Sequence, residues 1–520
     1  MINWMRPATL LLVTTALAGC SLAPEPILPG EHLERAHADF EKLFADMAPI
    51  DHPLSLEEAI ARGLKFNYDN QLAKTEQTLQ DRQMDLALTQ MLPRLAVDAG
   101  YSWRNNDNAA RSVDEFTGQT SLDYSYSTQR DHASADLQFS WNTLDLGVSY
   151  FQARQQGYRA LVAVERRRKV INTIVKEVRT AYWKAVTAQN LLPRLTPILA
   201  QAETALEASR QVHRDQLQPP LQTLEYQQNM LQVISQLRRL RTDLLTAQAQ
   251  LSGLINVAPG TAMTLSAKIE EHNLPAKLDV DVHKLEELGL VLRPELREEA
   301  YQEKIDRQNV YKEMVKMVPG VSLLASVNWD SNKYEYHEAW NEMGVRASYN
   351  LINLIQGPQA LQAAEAGVEV AKTRRLALSV AVLTQINLAV DQYQHDLDTL
   401  DTAVQVNAVQ QEIAKTISNG VAADSQSDVE KIRRFLTATA AELERDRALA
   451  DTHGALGNLY MAIGVDLVPP NADTSDMAEL TARVKGAVAD WEAGRLPPLP
   501  ELPPEPEKVS SAEPETQAKP

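Results

Sequence analysis

Over most of its length the chain spaces apolar residues alternately three and four apart. The clearest seam is Met230, Val233, Leu237, Leu240, Leu244, Ala247, Leu251 and Leu254, flanked by Arg238, Arg239, Arg241 and Asp243. This pattern predicts a long helix that needs a partner helix along its length. Leu436, Leu443, Leu449, Leu456 and Leu459 mark a second helix, and residues 360–418, rich in Ala, Gln and Glu and free of proline, a third. Pro193 and Pro197 fall inside a further helical stretch. Each lacks the backbone donor, so they are expected to kink or interrupt it.

Four short segments alternate instead. Leu95, Val97, Ala99, Tyr101 and Trp103 take every second position; Ala133, Ala135, Leu137, Phe139 and Trp141 do the same, as do Val321 to Trp329 and Met343 to Leu351. Period two predicts strands at about 95–103, 133–141, 321–329 and 343–351. Each set suits a tilted transmembrane strand of roughly 9–11 residues, with small and polar residues on the alternate positions. Trp103, Trp141, Trp329 and Tyr349 lie at or near strand ends, where an aromatic girdle would meet the membrane interfaces. The polar connections 104–132 and 330–342 are the expected exposed loops. Soluble hairpins packed on helices are the alternative.

The pattern occurs twice. Leu92-Pro93-Arg94-Leu95 leading to Trp103 matches Val318-Pro319-Gly320-Val321 leading to Trp329, and Ser140-Trp141-Asn142 matches Ser348-Tyr349-Asn350. Each half reads helix, strand, strand, long helix, turn, long helix, a duplicated unit of mainly α class. Four strands cannot close a barrel in lipid, and open edges cannot face it. Several chains must therefore share one: two copies leave room only for side chains, whereas three copies give twelve strands and a pore.

Charge and cysteine usage narrow the reading. The 520 residues hold 51 Lys plus Arg against 69 Asp plus Glu, a net charge of −18, which disfavours nucleic-acid binding. The single cysteine, Cys20, ends a short apolar run in Leu17-Ala18-Gly19-Cys20. That layout is a secretory signal over residues 1–19, similar to bacterial lipoprotein signals, in which the cysteine is acylated. Lipid on Cys20 would hold the chain at a membrane. By the same likeness, Ser21 directs it to the outer one. Residues 20–53 read as a linker and 469–520 as a C-terminal segment whose Pro-rich end, from about Leu496, is unstructured.

The ordered set of motifs resembles the TolC-type outer-membrane efflux protein family across nearly all of the mature chain. It comprises Pro53-Leu54-Ser55-Leu56-Glu57-Glu58-Ala59, the turn Asn142-Thr143-Leu144-Asp145-Leu146-Gly147 and Arg293-Pro294-Glu295-Leu296. The resemblance implies two repeats, 54–275 and 276–468. It also implies a homotrimeric twelve-stranded β-barrel in the outer membrane, continued by a periplasmic α-helical barrel. A periplasmic adaptor and an inner-membrane transporter are the implied partners, with no cofactor beyond the lipid on Cys20. Family members constrict the tunnel at the periplasmic helix tips. The matching turns here are Arg214 to Leu221 and Asn419 to Asp428, which makes Asp424 and Asp428 candidates for a gate ring. The first tip has Pro219-Pro220 and no glycine, and helix capping by Asp is the blander role.

No nucleotide loop, nucleophile elbow, zinc helix or dinucleotide fingerprint is present, and the ten histidines are scattered, so an enzyme is not expected. A periplasmic coiled-coil lipoprotein scaffold shares the signal, the acidity and the heptads. It has no need of four alternating segments.

Overall fold

The computed structural model describes residues 26–499 except 46, 48, 216, 218, 259, 268–280, 423–427 and 469–475. In chain order these residues form α1 (Pro29–Leu43), α2 (Leu56–Phe66), α3 (Tyr68–Thr89), β1 (Arg94–Trp103), β2 (Asp131–Asn142), α4 (Thr143–Arg214) and α5 (Pro220–Leu254). There follow α6 (Val282–Leu292), α7 (Pro294–Lys316), β3 (Gly320–Asp330), β4 (Ala339–Ser348), α8 (Asn353–Ala422), α9 (Asp428–Ile463) and α10 (Met477–Glu492). The duplicated unit is present: α3-β1-β2-α4-α5 is repeated as α7-β3-β4-α8-α9.

Local chemistry starts the long helices. The Asn142 side chain accepts hydrogen bonds from the amides of Leu144 and Asp145 and caps α4, while Ser55 accepts from Glu58 N at the head of α2. Proline opens α5 and α7, where a missing amide proton costs nothing. Asn350 Oδ1 accepts from Ile352 N and turns the chain out of β4 toward α8.

The strands form one antiparallel sheet in the order β1-β2-β3-β4. Next to it the helices follow the same order, α3 against α4, α4 against α7, α7 against α8. Farther from the sheet the order becomes α5, α4, α9, α8. Where the two levels meet, the largest core joins α2, the middle of α4, the ends of α5 and α9, α6, the middle of α8 and α10. A second core runs down α4, α5 and α9.

Three expectations need correction, and the C-terminal segment gains structure that the sequence reading did not assign. The stretch 20–53 is not all linker, because Pro29 at the first helical position opens α1. The fourth strand starts four residues earlier than the apolar alternation suggests. The β3 ladder pairs Trp329 with Ala339 and Gly320 with Ser348, so Tyr349 and Leu351 lie beyond the strand. The C-terminal segment contains α10, with Leu480, Val484, Val488 and Trp491 buried in the main core. Finally, of the kink or interruption expected at Pro193 and Pro197, the interruption does not occur, since α4 is one helix through both. Each proline costs a helix roughly 3 kcal/mol. Leu191, Leu195, Ile198 and Leu199 are buried around them, each worth about 1.5–3 kcal/mol, and hold the helix together. The seam of α5 is buried as expected at Met230, Leu237, Leu244, Ala247 and Leu251, with Ile234 more enclosed than Val233.

Candidate channel wall

The ladder register decides which side chains share a face. Leu95 stands opposite Phe139, Val97 opposite Leu137, Phe139 opposite Ala325, and Leu323 opposite Val345. All the predicted alternating sets except the end of the fourth thus fall on one continuous apolar face. That face is bare: Val97 is 75% exposed, Met343 88% and Val345 73%. An apolar surface of this extent on a sheet needs a non-aqueous neighbour, and lipid fits it.

Trp103 and Trp329 share this face at the loop end of the sheet, and Trp141 shares it at the helix end. Tyr349 follows β4 at the helix end. The four aromatic positions therefore divide between two levels. Trp340, which the sequence reading passed over, belongs to the opposite face, where it pairs with Asn328. That second face is polar: Asp98 opposite Asp136, Asp136 opposite Asn328, Gln138 opposite Ser326, and Ser326 opposite Glu342.

Among the described residues neither edge of the sheet has a partner strand. β1 and β4 are each ten residues long and exposed almost throughout. The helices repeat this asymmetry. α3 and α5 lie on the β1 side and expose Leu72, Leu79, Leu86, Leu224 and Leu231; α8 lies on the β4 side and exposes Val370, Leu376, Val380 and Leu388.

At the loop end the two hairpins are tied together by Asn332, which is only 2% exposed. Its Nδ2 donates to Ser127 O at 2.8 Å and its Oδ1 accepts from Gln129 N at 3.1 Å. Arg130 grips Asp107 through two bonds of 2.7 Å, and His132 Nδ1 lies 2.9 Å from Asp330 Oδ1. The 27-residue first loop is thus a structured excursion, with a turn built on Asp114 Oδ1, which accepts from Phe116 N and Thr117 N.

At the other end, the first helix tip carries Glu207 between Arg210 and Arg214, whose hydrogen bonds hold its carboxyl below the usual range. Asp424 and Cys20 lie outside the described residues. Asp428 is the first residue of α9, and its backbone alone is described. Neither gate candidate therefore acquires a geometry.

The sequence reading missed a buried cation at the junction of the two levels. Arg179 of α4 is fully enclosed; its Nε donates to the His453 carbonyl at 3.2 Å, and Nη2 lies 3.4 Å from His453 Nδ1 and 3.5 Å from Glu492 Oε1 of α10. Gly457 makes room, since a Cβ there would stand 3.3 Å from Arg179 Cδ. Burial lowers the Arg179 pKa, raises that of Glu492 against the pull of Arg179, and pushes Tyr393 and Tyr460 up to about 12. The Tyr460 hydroxyl donates to Trp491 O at 3.0 Å, and the two rings stack at 4.4 Å. Nothing in the sequence around Arg179 signals this role.

Among the described residues no helix is long and apolar enough to cross a membrane, and no group of three or more His, Cys, Asp or Glu could hold a metal ion.

Residues 67–257 match the family model described as outer membrane efflux protein. No curated protein matches the sequence. Among solved structures, the Campylobacter jejuni CmeC outer membrane channel is similar at TM-score 0.62 and 13% identity, over 89% of this chain and 99% of that one. The Neisseria gonorrhoeae MtrE outer membrane channel in its open state gives TM-score 0.59 and 16% identity, over 79% and 88%. The Vibrio cholerae outer membrane protein VceC gives 0.58 and 12%, over 79% and 96%. At such identities the likeness is one of fold, and it runs through both repeats.

Proposed function

Taking the chain as a member of the outer membrane efflux protein family, we propose that three copies close into a channel across the outer membrane, through which substrates pass without catalysis. The observation that carries this reading is that the sheet and the two helical levels are each left bare on both flanks. β4 and α8 bound one side of the protomer, and β1, α3 and α5 bound the other, at all three levels. Contacts of one flank with the other are heterologous, and such contacts form a ring when the rotation closes. β1 and β4 run in opposite directions, so β4 of one copy continues the antiparallel ladder onto β1 of the next.

Twelve strands spaced about 4.8 Å apart and tilted about 40° give a barrel with a backbone radius of roughly 12 Å. The apolar face then meets lipid and the polar face lines the lumen. The helices extend the wall into the periplasm, where a periplasmic adaptor and an inner-membrane transporter supply cargo and energy. Lipid on Cys20 adds a second attachment to the outer membrane. Asp424 and Asp428 are carried as candidates for the periplasmic constriction on the family resemblance, with helix capping by Asp the other role.

Insertion into planar bilayers tests the proposal. A channel gives stepwise ionic conductance, and protease added outside intact cells cuts within 104–130. A protein that passes no current, with that loop protected on cells, overturns it.

A further inference from the structure

The polar face of the sheet carries charges that the fold itself does not explain. Asp98 and Asp136 are direct cross-strand partners. Like charges in that position lie with Cβ atoms about 5 Å apart and destabilise a sheet. Among the described residues no counter-charge relieves them: none of Asp98, Asp136, Glu342, Arg94 or Arg346 forms an ion pair there. By contrast, Asp330 on the same face has His132 at 2.9 Å.

These charges are also sorted by position. Arg94 and Asp98 lie on one face of β1, the arginine next to the helices and the aspartate four residues toward the loops. On β4 the same order recurs, with Arg346 toward the helices and Glu342 four residues toward the loops. Four residues of strand span about 13 Å, more than the Debye length of about 8 Å at physiological salt, so the two groups act as separate zones. Neither pattern is needed for packing, since all five side chains stand on the face away from lipid.

We propose that the channel lumen holds an arginine belt at its helical end and a carboxylate belt nearer its outer mouth, which make the conduit cation-selective and asymmetric in the current it carries. This rests on the trimeric channel reading above. Each copy contributes Asp98, Asp136 and Glu342 against Arg94 and Arg346, so the ring carries a net negative charge. In a narrow, low-dielectric wall such charge concentrates cations and excludes anions. The arginine belt is a local barrier to cations at one end only, which is the source of the asymmetry.

The test is the reversal potential of the full-length protein in a planar bilayer under a KCl gradient. The wild type is expected to favour K+ over Cl−. Asp98→Asn with Asp136→Asn should cut the permeability ratio at least twofold; Arg94→Gln with Arg346→Gln should raise it at least twofold and straighten the current–voltage curve. Because these substitutions remove like-charge repulsion or exposed charge, assembly should persist, checked by the mass of each variant. Conductance with a permeability ratio unchanged in both variants overturns the inference. It would mean that the belts neutralise each other across the β4–β1 seam, with the channel itself intact. A wild-type protein that inserts and carries no current removes the channel reading and this inference with it.

Discussion

α4 and α8 occupy the same place in the two repeats and are nearly equal in length, 72 and 70 residues. The middles of both enter the main core, but their outer sides differ. α4 is flanked on both sides at both levels and buries Val178, Tyr182, Val186, Leu191 and Leu195. α8 has neighbours on one side only and leaves Val370, Leu376, Val380, Leu388, Val406 and Val409 exposed. An internal duplication makes both helices amphipathic, yet only one finds its second neighbour within the chain. The bare apolar surface of α8 is what the proposed ring would cover. On that reading the other half of the interface is carried by the opposite flank of another copy.

The largest effect expected is at the enclosed helix. Leu195→Ala opens a cavity in the α4–α5–α9 core and should cost about 2–5 kcal/mol, read from the denaturant midpoint, whatever the state of assembly. At the edge helix, Val380→Asp with Leu388→Asp should leave the helical circular dichroism unchanged while reducing the oligomer to monomer by light scattering. Loss of protomer helicity instead would mean that α8 is supported from within.

A smaller effect separates the junction from both helices. Burial raises the Glu492 pKa, so the protonated form favours docked α10. The sign follows by linkage: docking is firmest below the ordinary carboxylate range and weakens as pH rises through the raised value. Hydrogen exchange over 477–492 should therefore speed up with pH beyond its intrinsic rate, and Glu492→Gln should flatten that dependence. The smallest effect is at the loops. Asn332→Ala removes two bonds between the hairpins, worth about 1 kcal/mol each, and should speed proteolysis of 104–130 without changing oligomeric mass.

The features legible in the sequence were those carried by periodicity. Three strands were placed to within two residues, because their apolar alternation runs unbroken along one face of the sheet. The fourth was displaced, because Asn341 interrupts its apolar face and Trp340 occupies its polar one. α10 was hidden by the prolines around it, although Leu480, Val484, Val488 and Trp491 keep helical spacing. Pro193 and Pro197 misled in the opposite direction, since a local rule about backbone donors gave way to burial on either side. Arg179 could not have been found: its carboxylate partner lies 313 residues away, and no local pattern links the two. Of the candidate wall, Trp103, Trp141 and Trp329 at or next to strand ends were readable from alternation, whereas Tyr349 falls past the end of β4. The like-charge pair of Asp98 and Asp136 was not, because it exists only once the register is fixed.

The most direct test of the central claim is the mass of the mature protein, extracted from outer membranes in mild detergent and measured by light scattering with the detergent subtracted. The account predicts three chains per particle. A stable, folded single chain would contradict it, for the edges of β1 and β4 and the bare flank of α8 would then have to persist without partners.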